Sequence, residues 1–168
     1  PRAPTIAWGL NETRYNRVEG LGTGAVVTSQ LGKGYVVALT GRGSLADLQL
    51  NGELSVSRSN GRRELRATAY RRLVSSGDFG SPLSFGASFN SFVYGRDEGF
   101  YHRTWGGELA GRRTIGNGFV WRLFAEEQWE APVATRFSLT GGAHDDRFLG
   151  NVAADRASLF GAGLNWRG

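Results

Sequence analysis

Leu48-Gln49-Leu50-Asn51-Gly52-Glu53-Leu54-Ser55-Val56-Ser57, followed after Asn60-Gly61 by Glu64-Leu65-Arg66-Ala67-Thr68-Ala69-Tyr70-Arg71-Arg72-Leu73, decides the fold class. In the first run Leu48, Leu50, Gly52, Leu54 and Val56 are apolar or small, with polar residues between them. In the second, Leu65, Ala67, Ala69 and Leu73 share one parity, broken only by Arg71, and Glu64, Arg66, Thr68, Tyr70 and Arg72 share the other. Side chains leave a strand on alternate faces, so this spacing predicts a hairpin with one apolar and one charged face. Asn60-Gly61 supplies the positive φ that a tight hairpin turn demands. The strands run about ten to twelve residues, against roughly five or six in most sheets. Segments of about ten residues with alternating hydrophobicity, separated by turn residues, are the pattern of a membrane β-barrel.

The alternation recurs at Tyr35, Val37 and Leu39, at Leu83, Phe85, Ala87 and Phe89, and at Trp105, Gly107, Leu109 and Gly111. It returns at Phe119, Trp121, Leu123 and Ala125, at Val133, Phe137 and Leu139, and at Phe160, Ala162, Leu164 and Trp166. About nine strands result, with Thr5 to Leu10 a further one. Turns are expected at Leu31-Gly32-Lys33-Gly34, Leu45-Ala46-Asp47, Asn60-Gly61, Gly116-Asn117-Gly118 and Glu130-Ala131-Pro132, and longer loops at 75–82, 96–100 and 141–154. Short and long connections alternate, as in outer-membrane barrels. No segment reads as an amphipathic helix; Val120 to Glu130 comes nearest. The expected fold is all-β, an antiparallel up-and-down transmembrane β-barrel with about eight to ten strands in view. It occupies residues 1–168 as one domain, or as a segment of a longer barrel.

Composition agrees. Gly (26 residues) is frequent and Pro (4) rare, which suits twisted sheets and turns. No run of about 18 apolar residues is present, so no helix is expected to cross a membrane; strands hide their apolar residues at every second position. The absence of Cys excludes a disulfide framework, a thiol nucleophile and a Cys-ligated metal. Met is absent even at position 1, and Pro1-Arg2-Ala3-Pro4 lacks the apolar core of a signal peptide. The simplest expectation is a mature or excised segment whose start lies upstream, which favours export. Aromatic residues gather toward strand ends (Trp8, Tyr15, Phe92, Tyr94, Phe100, Tyr101, Trp105, Phe119, Trp121, Trp129, Trp166), as in the girdles at membrane interfaces.

The net charge is +5, and Lys33 is the only lysine. Arginines stand singly on the polar strand faces, often beside Glu, and the denser Arg62-Arg63, Arg71-Arg72 and Arg112-Arg113 lie near strand ends. This reads as an Arg/Glu-lined polar face, with no nucleic-acid partner expected. Arg17, Glu19, Glu53, Glu64, Arg66, Arg72, Glu108, Arg112, Arg122, Glu126 and Arg136 are expected to line the lumen, Arg17 and Glu19 as an ion pair. Such charges either plug a small barrel with salt bridges or line a water-filled channel.

Other chemistry is weakly signalled. His144 with Asp145 and Asp146, or those aspartates with Asp155, could ligate a metal, but the spacing is not that of an EF-hand and reads as a solvated loop. His102 with Ser84 or Ser88 could meet across strands as base and nucleophile, with no motif around them. Gly20 to Gly24 is glycine-rich without a following helix, so a strand bend is expected there rather than a phosphate cradle. No enzyme activity, cofactor or metal is expected.

Arg14-Tyr15-Asn16-Arg17-Val18-Glu19-Gly20-Leu21 resembles the strand that opens the barrel in bacterial outer-membrane proteins of the Omp85-like surface-antigen type, including barrels that follow a carboxypeptidase-regulatory-like domain. Tyr94-Gly95-Arg96-Asp97-Glu98-Gly99-Phe100-Tyr101 resembles their Gly-Arg-Asp-Asp/Glu-Gly loop with its following aromatics. Trp121-Arg122-Leu123-Phe124-Ala125-Glu126 and Asn151-Val152-Ala153-Ala154-Asp155-Arg156 are further points of likeness. The motifs are short and spread from 14 to 156. The resemblance implies an outer-membrane location and a barrel of about sixteen strands. The chain departs from it in having fewer strands and in ending Leu164-Asn165-Trp166-Arg167-Gly168, without the terminal aromatic that closes such barrels. Either a C-terminal half is missing or the barrel is smaller; a complete chain must close at about eight to ten strands or borrow strands from another chain, because open edges in lipid leave backbone groups unpaired.

The expected function is a pore or a translocation or assembly channel, with outer-membrane lipid and other barrel subunits or a surface complex as partners. A structural anchor or complex subunit with a plugged lumen is the alternative from a second class. A soluble β-barrel holding an apolar ligand is the third. Lipid-facing barrels carry Leu, Val and Phe outside and Arg and Glu inside, and soluble barrels reverse this.

Overall fold

The longest alternating runs become strands in the computed structural model, which describes residues 3–9, 12–77, 81–113, 118–153 and 155–167. The elements are β1 (Thr5–Trp8), β2 (Arg14–Asn16), β3 (Gly20–Gly32), β4 (Tyr35–Ser44), β5 (Leu50–Ser59), β6 (Arg63–Ser75), α1 (Phe85–Tyr94), β7 (Tyr101–Arg113), β8 (Gly118–Glu130) and β9 (Ala157–Arg167). All strands belong to one antiparallel sheet in the order β1-β3-β4-β5-β6-β7-β8-β9, and β2 pairs with β3 beyond β1. From β3 onward each strand lies beside its successor, so the connectivity is up-and-down. The fold is all-β with one short helix. Among the described residues the sheet is not closed: β1 and β9 end the order and do not pair with each other.

Register keeps the faces separate. One row across the sheet reads Leu39, Leu54, Ala69, Gly107, Ala125 and Phe160. The adjoining row, on the other face, reads Thr40, Glu53, Tyr70, Gly106 and Glu126. The Asn60-Gly61 turn forms as expected: Gly61 has φ +83°, and Asn60 Oδ1 accepts the N–H groups of Arg62 and Arg63 at 3.0 and 2.8 Å. The β3–β4 and β5–β6 connections lie at one end of the sheet, where β7 ends and β8 begins, and the β4–β5, β6–β7 and β8–β9 connections start and finish at the other. The expected Gly116-Asn117-Gly118 turn falls largely outside the described residues.

Three expectations are corrected. Leu83 to Phe89 is not a strand, because residues 85–94 form α1. A short Phe/Ser run fits period 2 and period 3.6 alike, and the caps settle it. Ser84 caps the N-terminus by accepting the Ala87 N–H at 3.3 Å, and Gly95, at φ +67°, supplies the left-handed C-cap. Val133 to Leu139 forms no strand, only isolated bridges between Arg136 and His144 and between Ser138 and Gly142. Its backbone is taken elsewhere: the Ala134 and Thr135 N–H groups both donate to the Arg17 carbonyl at 3.0 Å. The strand expected through 14–21 breaks after Asn16, whose side chain accepts the Val18 and Glu19 N–H groups at 3.0 and 2.8 Å and turns the chain into β3.

The buried apolar cluster sits at the loop end, where Val18, Leu73, Tyr101 and Ala131 pack together with Leu83 against them. Replacing Gly95 by Ala forces a side chain into the left-handed region and onto the Asp145 carboxylate. The expected result is a loss of about 1–2 kcal/mol, with faster amide exchange across residues 85–94 before the β3–β9 ladder is affected.

Candidate functional site

The charged face of the sheet is held together by short cross-strand contacts. Glu53 on β5 meets Arg72 on β6 at 3.2 Å, Glu64 meets Arg112 directly opposite at 2.5 Å and Arg66 on its own strand at 3.1 Å, and Glu108 meets Arg122 at 2.6 Å. Such contacts follow from the diagonal and direct neighbours of an antiparallel ladder. Exposed pairs of this kind contribute about 0–1 kcal/mol each, so they organise the charge of the face more than they hold the sheet.

One contact spans a whole strand. Tyr70, Gly106 and Glu126 occupy one row on β6, β7 and β8, and the Tyr70 hydroxyl donates to Glu126 Oε2 at 2.7 Å over the gap left by Gly106. A Cβ at Gly106 would stand 2.6 Å from the Glu126 Cβ. Gln128 donates to the same carboxylate at 2.9 Å, and the Arg72 guanidinium lies 3.9 Å from the centre of the Tyr70 ring.

At the loop end the face abuts a buried charged cluster. The Glu19 carboxylate accepts from Arg14 Nε and Nη2 at 2.7 Å each, from Asn16 Nδ2 at 2.9 Å and from Asn51 Nδ2 at 2.8 Å. Arg17, fully buried, donates its backbone N–H to Asp97 Oδ2 at 2.8 Å and its Nη1 to the Asp97 carbonyl at 2.7 Å, with the Oδ1 of that residue 3.1 Å away. Asp97 Oδ1 also accepts the Tyr101 hydroxyl at 2.6 Å, and the Arg17 guanidinium lies 5.4 Å from the centre of that ring. Asn151 bonds both backbone groups of Tyr101 and donates to the Ala131 carbonyl at 2.6 Å. Arg103 pairs with Asp47. Three of the four segments singled out by sequence, at 14–21, 94–101 and 151–156, thus converge, through Arg17, Asp97 and Asn151, on one cluster; the fourth, Trp121–Glu126, lies within β8.

Glu53, Glu64, Arg66, Arg72, Glu108, Arg112, Arg122 and Glu126 all share the polar face by register. Arg17 and Glu19 lie in the buried cluster and pair with Asp97 and Arg14, not with each other. Arg136 is exposed in the segment after β8, away from the ladder. Tyr70, Asp97, Asn51 and Asn151 join the site although residue type alone does not mark them; Tyr70 stands on the charged parity of β6, and Asp97 and Asn151 lie within the quoted motifs.

His102 Nδ1 lies 2.9 Å from Ser76 Oγ rather than near Ser84, whose hydroxyl caps α1, or Ser88. Asp145 is turned onto Ser138 and Arg147. Among the described residues no group of three or more His, Asp or Glu is placed to hold a metal. A cavity of about 630 Å³ between α1 and the 96–99 loop is bordered by Asn90, Tyr94, Arg96, Glu98 and Arg147.

Two outcomes follow. Arg17→Ala leaves Asp97 buried without its partner and costs about 3–5 kcal/mol, with amide exchange rising first in 95–101 and 131–135. In the 138–147 loop, hydrogen bonds from Arg147 and then Ser138 hold the Asp145 carboxyl well below the usual carboxylate range. A depressed folded value contributes stability above the unfolded value of about 3.9, which is lost as pH falls below it toward the folded value. Protease protection of this loop therefore persists from neutral pH down to about pH 4 and declines below it, and Asp145→Asn removes that dependence.

No family model, curated protein or solved structure matches the chain.

Proposed function

We propose that this chain forms wall of a bacterial outer-membrane β-barrel of the Omp85-like kind, acting as a pore or as a translocation or assembly channel with its Arg/Glu face toward the lumen. One observation carries this reading: the burial alternation is inverted. Along β5 and β6, Leu54, Val56, Leu65, Ala67 and Ala69 are exposed, whereas on the polar face Glu53, Ser55, Ser57, Glu64 and Thr68 are half-buried, Tyr70 is buried and only Arg66 is exposed. The pattern extends across the sheet: Trp8, Leu39, Leu109, Leu123, Phe160 and Leu164 are all exposed on the apolar face. In water a face of this size demands a partner; in lipid it needs none.

The dimensions agree with that medium. On the apolar face, charge is absent from the middle of the strands. Arg63 and Arg71 on β6 are eight residues apart and Arg103 and Arg113 on β7 ten, which is roughly 27 to 34 Å of strand at ~3.4 Å per residue. At a tilt of about 40° this spans about 20 to 26 Å, near the ~25 Å apolar band of outer-membrane barrels. In the membrane the outer edges of β1 and β9 have to pair, with each other or with further strands. The complete pairing of Glu53, Glu64 and Glu108 with arginines favours, as a second reading, an anchor with a plugged lumen.

Purified chain is expected to fold only with detergent or lipid, giving a β-rich circular dichroism spectrum and a gel mobility that shifts on boiling. A soluble, folded monomer in plain buffer overturns the membrane reading. Leu54→Arg, in the middle of the apolar face, should impair insertion into vesicles by about 2–4 kcal/mol, and more than Arg66→Leu does. The reverse order means that the faces are exchanged. Single-channel conductance in a planar bilayer selects the pore, and silent insertion selects the plugged anchor.

A further inference from the structure

Arginines on the two ends of the apolar face are treated differently by the structure. At the loop end they are partnered. Arg71 donates to Gln49 and to the Leu50 carbonyl and lies 6.0 Å from the centre of the Trp129 ring, and Glu127, in the same row, takes Arg156 and the Trp105 indole. At the turn end Arg58, Arg63 and Arg113 are exposed on the apolar face and form no ion pair among the described residues. Lys33 and Arg62 stand in the adjoining turns. Across residues 28–40, 57–66 and 110–122 the one carboxylate is Glu64, already engaged by Arg112 and Arg66 on the polar face.

Arg63 and Arg113 are also directly opposite each other in register. Like charges at such a position destabilise a ladder unless an anion lies between them. Beside them a cavity of about 410 Å³ is bordered by Arg63, Arg113, Leu65, Gly111, Phe119 and Trp121, with the Glu64–Arg112 pair on its polar side. A Cβ at Gly111 would collide with the Trp121 indole, so the missing side chain lets that ring lie across β7. Arg58 lies 5.2 Å from the centre of the Tyr35 ring along the same rim. Cations fringing an apolar face, with aromatic rings between the two, match a phosphate at a hydrocarbon boundary; guanidinium forks grip phosphate oxygens bidentately.

We infer that the turn-end rim of the apolar face, centred on Arg63 and Arg113 with Arg58, Phe119 and Trp121, binds the phosphate of an anionic phospholipid headgroup. The inference rests on the membrane-wall reading above. It directs the short turns toward a leaflet that carries anionic phospholipid. Nucleic acid fits less well, since its interfaces are more polar than this face.

The test uses the full chain, refolded from urea onto vesicles of phosphatidylcholine alone or with about 30 mol% phosphatidylglycerol, at low and high salt. Bound chain is measured by flotation and inserted chain by protease protection. Phosphatidylglycerol should raise partitioning at low salt, and high salt should remove most of the gain. Arg63→Gln with Arg113→Gln should lower that gain by about 20- to 30-fold, at roughly fivefold per cation. Arg63→Lys with Arg113→Lys should keep most of it. Arg96→Gln with Arg136→Gln, an equal charge change at the loop end, should also keep it.

Loss of the gain to the same extent in both Gln pairs, or no gain in the unaltered chain, overturns the inference. So does binding to a fluorescent DNA duplex that matches the phosphatidylglycerol affinity and is lost with Arg63 and Arg113. Failure to insert into pure phosphatidylcholine instead overturns the membrane wall; a gain that still depends on Arg63 and Arg113 then leaves the headgroup site standing.

Discussion

Register between β3 and β9 is the constraint from which the remaining properties follow. Because side chains alternate with period two, a slip of one residue in any pairing would carry a strand's apolar residues onto the charged face. The observed pairing prevents this by matching like with like: Val56 beside Ala67, Ala67 beside Leu109, Leu109 beside Leu123. On the other face the same register brings Glu64 opposite Arg112 and sets Tyr70 and Glu126 on either side of Gly106. Each face stabilises the register that the other requires. The sheet acquires two chemically distinct sides without a conventional core between layers.

Stability of the loop end has a different origin. There the chain buries Arg17, Glu19, Asp97 and Arg103, groups whose removal from water is costly unless every polar atom finds a partner. Arg17 and Asp97 largely achieve this by using backbone as well as side-chain atoms, tying β2, the 95–100 loop and the 131–135 segment to one another. A cluster of this kind adds little net free energy relative to an apolar one. It does define which loops meet and in what order, because an incorrect arrangement leaves a buried charge unmatched. The small apolar group of Val18, Leu73, Tyr101 and Ala131 fills the space around it.

The arginines consequently fall into three environments. Arg14, Arg17 and Arg103 at the loop end are buried and paired, and those across the charged face are half-exposed and paired with glutamates. Those at the turn end of the apolar face are exposed and form no ion pair among the described residues. Net charge alone does not separate these environments. The first belongs to folding. In the proposed barrel wall the second faces the lumen and the third meets the anionic headgroups. Aromatic residues reinforce the division: Trp105 and Trp129 join the partnered network at one end, while Phe119 and Trp121 border the open cavity at the other.

Much of this was legible without coordinates where local chemistry is decisive. Two-residue alternation over about ten positions admits one reading, so the strands β5 and β6, their faces and Glu53, Glu64, Arg66 and Arg72 follow from the residue order. Alternation over a short run does not, and Leu83 to Phe89 became a helix because the flanking Ser84 and Gly95 cap one. Val133 to Leu139 lost its strand because the Arg17 carbonyl, more than a hundred residues earlier, takes its N–H groups. Arg17 and Glu19 were recognisable as charged residues beside a glycine turn. Their partners, Asp97 and Arg14, depend on which loops pack together, and local spacing carries no such information. By itself the sequence determined the sheet, its two faces and the alternation of short and long connections, since these depend on side-chain parity and turn chemistry. Only the tertiary structure decided that, among the described residues, the sheet is open, which charges are buried together and which stand unpaired at its rim, because those depend on contacts between segments far apart in the chain.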